Sequence, residues 1–210
     1  MKLEIKHQQR YSRGELLLRS FLGFFYIMIP HGFCLAFVGI WAFILWIITF
    51  IKILVTGQYP KSNFDFFIKF FRWNLRVNAR ALNLSDGYPA FGLDAADDNT
   101  TFEMPYTENV SRGHAALVFF LGCFLLIPQI FCLYFVAIGA MFVMLFAWFA
   151  VLFTGEYPAG MHDYMVKYLR WSMRLSTYLH FMIQSYPPFN GRPDEGDEQD
   201  TIDKIGLTAA

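Results

Sequence analysis

Two stretches of this chain carry no Asp, Glu, Lys or Arg: the residues between Arg19 and Lys52, and those between Arg112 and Glu156. A run of about 18 or more uncharged, apolar residues is a candidate membrane span. Composition points the same way, with 16% charged residues where ordinary soluble domains carry about 25%. Seventeen basic and seventeen acidic side chains cancel, so there is no electrostatic footprint for nucleic acid. Cys34, Cys123 and Cys132 sit inside apolar runs without metal-ligand or redox spacing. They read as small packing residues, and neither a metal nor a cofactor is expected.

The chain also repeats itself. Thr-Gly-Gln-Tyr-Pro at 56–60 returns as Thr-Gly-Glu-Tyr-Pro at 154–158, an offset of 98. At that offset Pro30 matches Pro128, Asp65 matches Asp163, Lys69 matches Lys167, Arg72-Trp73 matches Arg170-Trp171, and Arg76 matches Arg174. Tyr88-Pro89 and Phe91 likewise match Tyr186-Pro187 and Phe189. Upstream, Ser12-Arg13-Gly14 matches Ser111-Arg112-Gly113, and Glu4 matches Glu103, with the offset slipped to 99. Two unrelated apolar helices would not share Gly, Pro, Asp, Arg and Trp in one order, so this is a duplication. The units are 1–92 and 93–190, followed by an acidic tail, 191–210, expected to be disordered.

Within the first unit the apolar run from Leu16 to Val55 would make a helix of roughly 60 Å at 1.5 Å per residue. That is about twice the thickness of a bilayer's hydrocarbon core. Pro30 and Gly32 are the natural break. The expectation is a Pro-broken helical hairpin, formed either by two membrane helices or by a re-entrant loop. Pro30 and His31, with Pro128 and Gln129, mark the breaks. Basic residues flank each run and avoid its middle, so the positive-inside rule puts the hairpin bases and both termini in the cytoplasm.

Gly57 reads as a left-handed helix cap, after which a sharply amphipathic helix is expected. At 100° per residue Asp65, Lys69, Arg72, Arg76, Arg80 and Asn83 share a wedge of about 80°. Such a helix suits the membrane interface. Arg72, Arg76, Arg80, Lys167, Arg170 and Arg174 would meet lipid headgroups, while Trp73, Trp171, Tyr59 and Tyr157 would serve as interfacial anchors. The fold class is thus all-α membrane protein, each repeat a hairpin plus an interfacial helix joined by short extended connectors. Asp65 and Asp163 are explained by pairing with neighbouring Lys or Arg. No protease, hydrolase, Walker or dinucleotide motif is present.

The ordered set Tyr11-Ser12-Arg13, Ile29-Pro30-His31, Thr-Gly-x-Tyr-Pro, Phe64-Asp65-Phe66, Arg72-Trp73 and Tyr186-Pro187-Pro188-Phe189 resembles the membrane family called domain of unknown function 4389, found in bacteria and archaea. The resemblance spans nearly everything but the tail. It departs at Gln129, which stands where His31 does, and at Ala90, where the second copy has Pro188. It implies a prokaryotic inner-membrane protein and supplies no activity. The residues then favour a non-enzymatic membrane scaffold or accessory subunit that contacts membrane lipids and takes a membrane-protein partner or a second copy of itself. A small transporter or channel, or a lipid-modifying enzyme built on Asp65 and Asp163, are the alternatives.

Overall fold

The computed structural model describes residues 1–194. Strand β1 (Lys2–Ile5) leads into α1 (Arg13–Gly23), a π-helical turn (Phe24–Met28), α2 (Ile29–Thr56) and α3 (Lys61–Ala81). The second unit repeats the order as β2 (Thr100–Glu103), α4 (Arg112–Leu125), α5 (Ile127–Thr154) and α6 (Ala159–Leu179). Local chemistry accounts for the boundaries. Ser12 Oγ accepts from Glu15 N and Ser111 Oγ accepts from His114 N, capping α1 and α4. Gly57 at φ 75° and Gly155 at φ 78° end α2 and α5 in the left-handed region, where a Cβ is costly.

The expected hairpins do not form. Arg13 to Thr56 is one continuous 44-residue helix, and the chain passes Met28, Ile29 and Leu126 in right-handed helical dihedrals. Pro30 and Pro128 lie in the first turn of α2 and α5, where a missing N–H breaks no bond that a restarting helix needs. A proline there restarts the helix without reversing it. The π turn explains the slip in the repeat. Copy one has one more residue than copy two between the Ser-Arg-Gly element and the proline, and an i→i+5 turn absorbs one extra residue without changing helix direction.

The two units interlock. The segment that begins each unit packs on the long helix of the other, α1 on α5 and α4 on α2. Tyr11 N donates to Gly155 O and Val110 N to Gly57 O, both at 2.9 Å. Arg13 reaches Phe153 O at 2.8 Å and Arg112 reaches Val55 O at 2.9 Å. These are the orphan carbonyls of the two long helices, each capped by the opposite unit. The strands pair antiparallel with Leu3 facing Phe102, and these two residues are themselves repeat equivalents at the offset of 99. An approximate two-fold therefore passes through that pair, as in an isologous dimer fused into one chain.

The interior is built largely on α3 and α6. Phe64, Phe67, Phe71 and Leu75 are buried against Met165, Leu169 and Phe181 in one cluster. Large exposed apolar side chains are absent from α3 and α6 among the described residues; they concentrate on Leu17–Val55 and Leu117–Phe153. This corrects the expected interfacial role, because a helix lying in a bilayer surface presents its apolar face to lipid. These helices turn theirs to protein. The anchors follow them inward: Tyr59, Trp73, Tyr157 and Trp171 are all buried. Of the tail, residues 195–210 lie outside the described residues, while Gly191–Asp194 pack against α6.

Candidate functional site

The two helix breaks are held by one repeated latch. Trp73 Nε1 donates to His31 Nδ1 at 2.9 Å, and Trp171 Nε1 donates to Gln129 Oε1 at 2.8 Å. Gln129 Nε2 passes the chain on to Pro187 O at 2.5 Å. His31 stacks on Phe91 at 3.8 Å between centroids. Its Nε2 lies beside the Pro89 carbonyl without reaching it in hydrogen-bond geometry. Each Tyr-Pro box completes its latch: Tyr88 OH donates to Tyr26 O at 3.0 Å and Tyr186 OH to Leu125 O at 2.9 Å. Those carbonyls sit in the turn preceding each proline, where helix bonding is interrupted.

The latch explains why His can face Gln across the duplication. An imidazole that accepts at Nδ1 carries its proton at Nε2, and a primary amide offers the same acceptor–donor pair without charge. His31→Gln is therefore expected to leave stability within about 1 kcal/mol, while His31→Leu, which strands the buried Trp73 N–H, loses about 1–3 kcal/mol. Thermal unfolding in detergent, followed by circular dichroism, checks both.

The arginines predicted to meet lipid headgroups are mostly turned inward. Arg76 donates to Ala95 O at 2.7 Å and Gly92 O at 2.5 Å. Arg170 reaches Gly191 O and Leu3 O, and Arg174 reaches Asn190 O, Arg192 O and Asp194. Arg80 forms a two-bond fork with Asp97 at 2.6 and 2.7 Å. All four of these arginines are buried. They pin the connectors 92–97 and 190–194 to the core helices, Arg76, Arg170 and Arg174 through backbone carbonyls and Arg80 through the Asp97 carboxylate. Arg72, which donates to Phe102 O, and Lys167, ion-paired with Asp163, are the two of the six that stay exposed. Asp65 pairs with Lys61 at the surface. Asp65 and Asp163 thus form ordinary exposed i,i+4 pairs with Lys61 and Lys167.

One feature breaks the two-fold. A cleft of about 700 Å³ runs between α1, the π turn, the end of α3 and α5. Its polar end is Arg19, whose guanidinium meets Asn83 Oδ1 at 2.9 Å, Glu15 at 3.0 Å and Asp86 at 2.8 Å. Trp148 Nε1 donates to Ser20 Oγ at 2.7 Å beside it. Farther along, the walls are Phe24, Ile27, Met28, Met141 and Met144.

At the equivalent place in the other half the space is full. Ser20 corresponds to Phe119, Met144 to Trp46, Trp148 to Phe50 and Asn83 to Phe181. These aromatics stack, Phe50 on Phe119 at 3.8 Å and Trp46 on Phe119 at 4.8 Å. Asn83 and Phe181 both have left-handed backbones, at φ 57° and 62°. Asn adopts that conformation readily, but Phe does so against about 1–3 kcal/mol of strain. Its complete burial between Trp46 and Phe50 offsets that strain.

Sequence reasoning named the arginines and the helix breaks and placed Asn83 in the polar wedge, but gave no site role to Arg19, Asn83 or Asp97. The departures from the repeat at 20, 83 and 144 were the signal that could have found the cleft. No metal-capable cluster of three or more His, Cys, Asp or Glu side chains occurs among the described residues.

Comparison with known proteins agrees with the duplication. The family described as Domain of unknown function (DUF4389) matches residues 18–92 and again 117–190. Those segments bracket both latches and the walls of the cleft. No curated protein and no solved structure matches the chain. The chain belongs to the DUF4389 family and carries two tandem copies of its domain.

Proposed function

We propose that the chain is an integral membrane protein acting as a non-enzymatic scaffold or accessory subunit, with α1–α2 and α4–α5 embedded in lipid and the β1–β2 end facing the cytoplasm. One observation carries this reading. The most apolar windows of the two long helices are only 22% and 11% buried. A soluble protein hides such helices, and one that exposes contiguous apolar surface on this scale needs an apolar partner. Helix α5 alone has 28 residues, about 42 Å, against a hydrocarbon core of about 30 Å.

Arg13 lies beside Phe153 at the end of α5, Arg112 lies beside Val55 at the end of α2, and Lys52 and Lys61 flank the end of α2, so basic residues stand where the long helices meet the connectors. Met1 and Asp194 form an ion pair, so both ends of the described chain lie together. The positive-inside rule then favours the cytoplasm for that side. The exposed Arg72 and Lys167 are the groups left for headgroup contact. Lipid as the surrounding medium supports a scaffold role better than catalysis, since the acids singled out as catalytic candidates are paired at the surface.

Fractionation of expressing cells tests the placement. The protein is expected in the membrane pellet and to stay there after an alkaline carbonate wash. A reporter fused to either terminus is expected to signal a cytoplasmic location. Release by carbonate, or opposite sidedness of the two fusions, overturns the reading.

A further inference from the structure

The cleft between α1 and α5 is the strongest feature that the scaffold reading leaves unused. Its volume falls within the range of about 300–1,000 Å³ typical of ligand sites. Three observations say what kind of molecule fits it. The walls are apolar and include Met141 and Met144, adaptable side chains suited to a flexible apolar guest. The equivalent space across the two-fold is filled by the protein's own Phe119, Trp46 and Phe181, so an apolar guest is what this geometry stabilises. The polarity is also directional. Arg13 lies by Phe153, Ser20 by Trp148, and Met28 and Met141 line the same cleft, so α1 and α5 run antiparallel. The Arg19–Asn83 end therefore points to the basic connectors and the apolar walls lie deeper among the spanning helices.

We propose that this cleft binds one membrane phospholipid, with an acyl chain along Met144, Met141 and Ile27 and the headgroup at the Arg19–Asn83 end. The proposal rests on the membrane reading and deepens it. The guanidinium of Arg19 is already balanced by Glu15 and Asp86, so the head end carries no unpaired positive charge. A zwitterionic headgroup suits it better than an anionic one. The site is single because the second copy plugged its own.

Gly23 is the position from which to test it. A Cβ there meets nothing nearer than Arg19 Cβ at 3.6 Å, whereas one at Gly122 would press on Leu179 at 3.0 Å. Gly23→Leu thus fits the fold and projects into the cleft, and it replaces the weakest ordinary helix former. The experiment titrates dioleoyl phosphatidylethanolamine into delipidated protein in detergent and counts adducts by native mass spectrometry. Oleic acid and a second copy of the chain are scored in the same spectra.

One phospholipid adduct is expected on the wild type. Affinity should fall about tenfold or more in Gly23→Leu, the scale on which a small steric change in an apolar pocket discriminates. Melting of the lipid-free variant should equal or exceed that of wild type. Ser20→Phe with Met144→Trp, which copies the plug of the other half, should lose the adduct as well. Equal adducts on wild type and both variants overturn the proposal, as does binding of oleic acid alone or a dimer that vanishes in Gly23→Leu. Carbonate release of the protein would instead count against the membrane reading and is scored separately.

Discussion

Replacing Asp97 with alanine is expected to cost about 3–5 kcal/mol of stability, the largest effect of any single change considered for this protein. The carboxylate forms a fork with Arg80 and also accepts from Thr100 Oγ1 at 2.5 Å. The side chains of Arg80 and Asp97 are 4% and 8% exposed. Removing the acid leaves a buried cation, and Arg80 Nε already has no partner among the described residues. The comparison with a double replacement isolates the cause. Asp97→Ala with Arg80→Leu should recover most of the loss, because removing a buried pair together is far cheaper than orphaning one member. Denaturant unfolding in detergent, run as a double-mutant cycle, measures it. If the double variant is as unstable as the single one, packing and not charge holds this connector.

The same pair has an acid limit. Burial works to raise the Asp97 pKa, but the hydrogen bonds from Arg80 and Thr100 outweigh it and hold the carboxyl below the usual carboxylate range. A folded-state pKa below the unfolded one means that the stabilisation is complete above the ordinary carboxylate value. It is lost as pH falls through the depressed one.

A loss of about 3 kcal/mol is expected between pH 7 and pH 4 from a second group, His162. Burial, and then the neighbouring His7, push its pKa down to about 4. The rings of His7 and His162 are 4.8 Å apart, and His162 is 5% exposed with Nε2 unpartnered. The folded protein therefore takes up its proton later than the unfolded chain does. Stability is intact above about pH 6.5 and falls as pH drops from there to about 4, because the unfolded state then binds the extra proton. Across the two-fold the corresponding pair is Phe64 and Tyr106, packed edge to face with centroids 5.1 Å apart. His162→Phe is thus expected to keep the fold and to flatten the pH dependence over this window. Melting curves at half-unit steps from pH 4 to pH 7 check this. An unchanged slope in the variant would assign the acid sensitivity to other groups.

Much of the architecture was legible in local spacing. The duplication, the Gly57 cap and the long apolar helices all follow from short-range chemistry. Even the change of offset from 98 to 99 corresponds to a physical object, the π turn at Phe24–Met28. The hairpins failed for a definable reason. A proline reports a missing donor, and a helix restart and a chain reversal both tolerate that.

The arginines failed differently. Residues spaced by four read as a solvated stripe. Arg76 and Arg174 are nonetheless buried, because the connectors at Gly92–Ala95 and Asn190–Arg192 fold back over them. Nothing within the helix itself encodes that cover.

The order of residues by itself determined which segments are helical, where they begin and end, and that the chain is one unit written twice. Those properties depend on dihedral preference, caps and apolar periodicity, all of which act within a few positions. Only the tertiary structure decided that each unit's first helix packs on the other unit, that Arg76, Arg80, Arg170 and Arg174 turn inward, and that one of two equivalent spaces stays open. A helix has the same periodicity whichever neighbour it meets. Partner choice, burial of a guanidinium and emptiness of a cleft depend on contacts between residues a hundred positions apart.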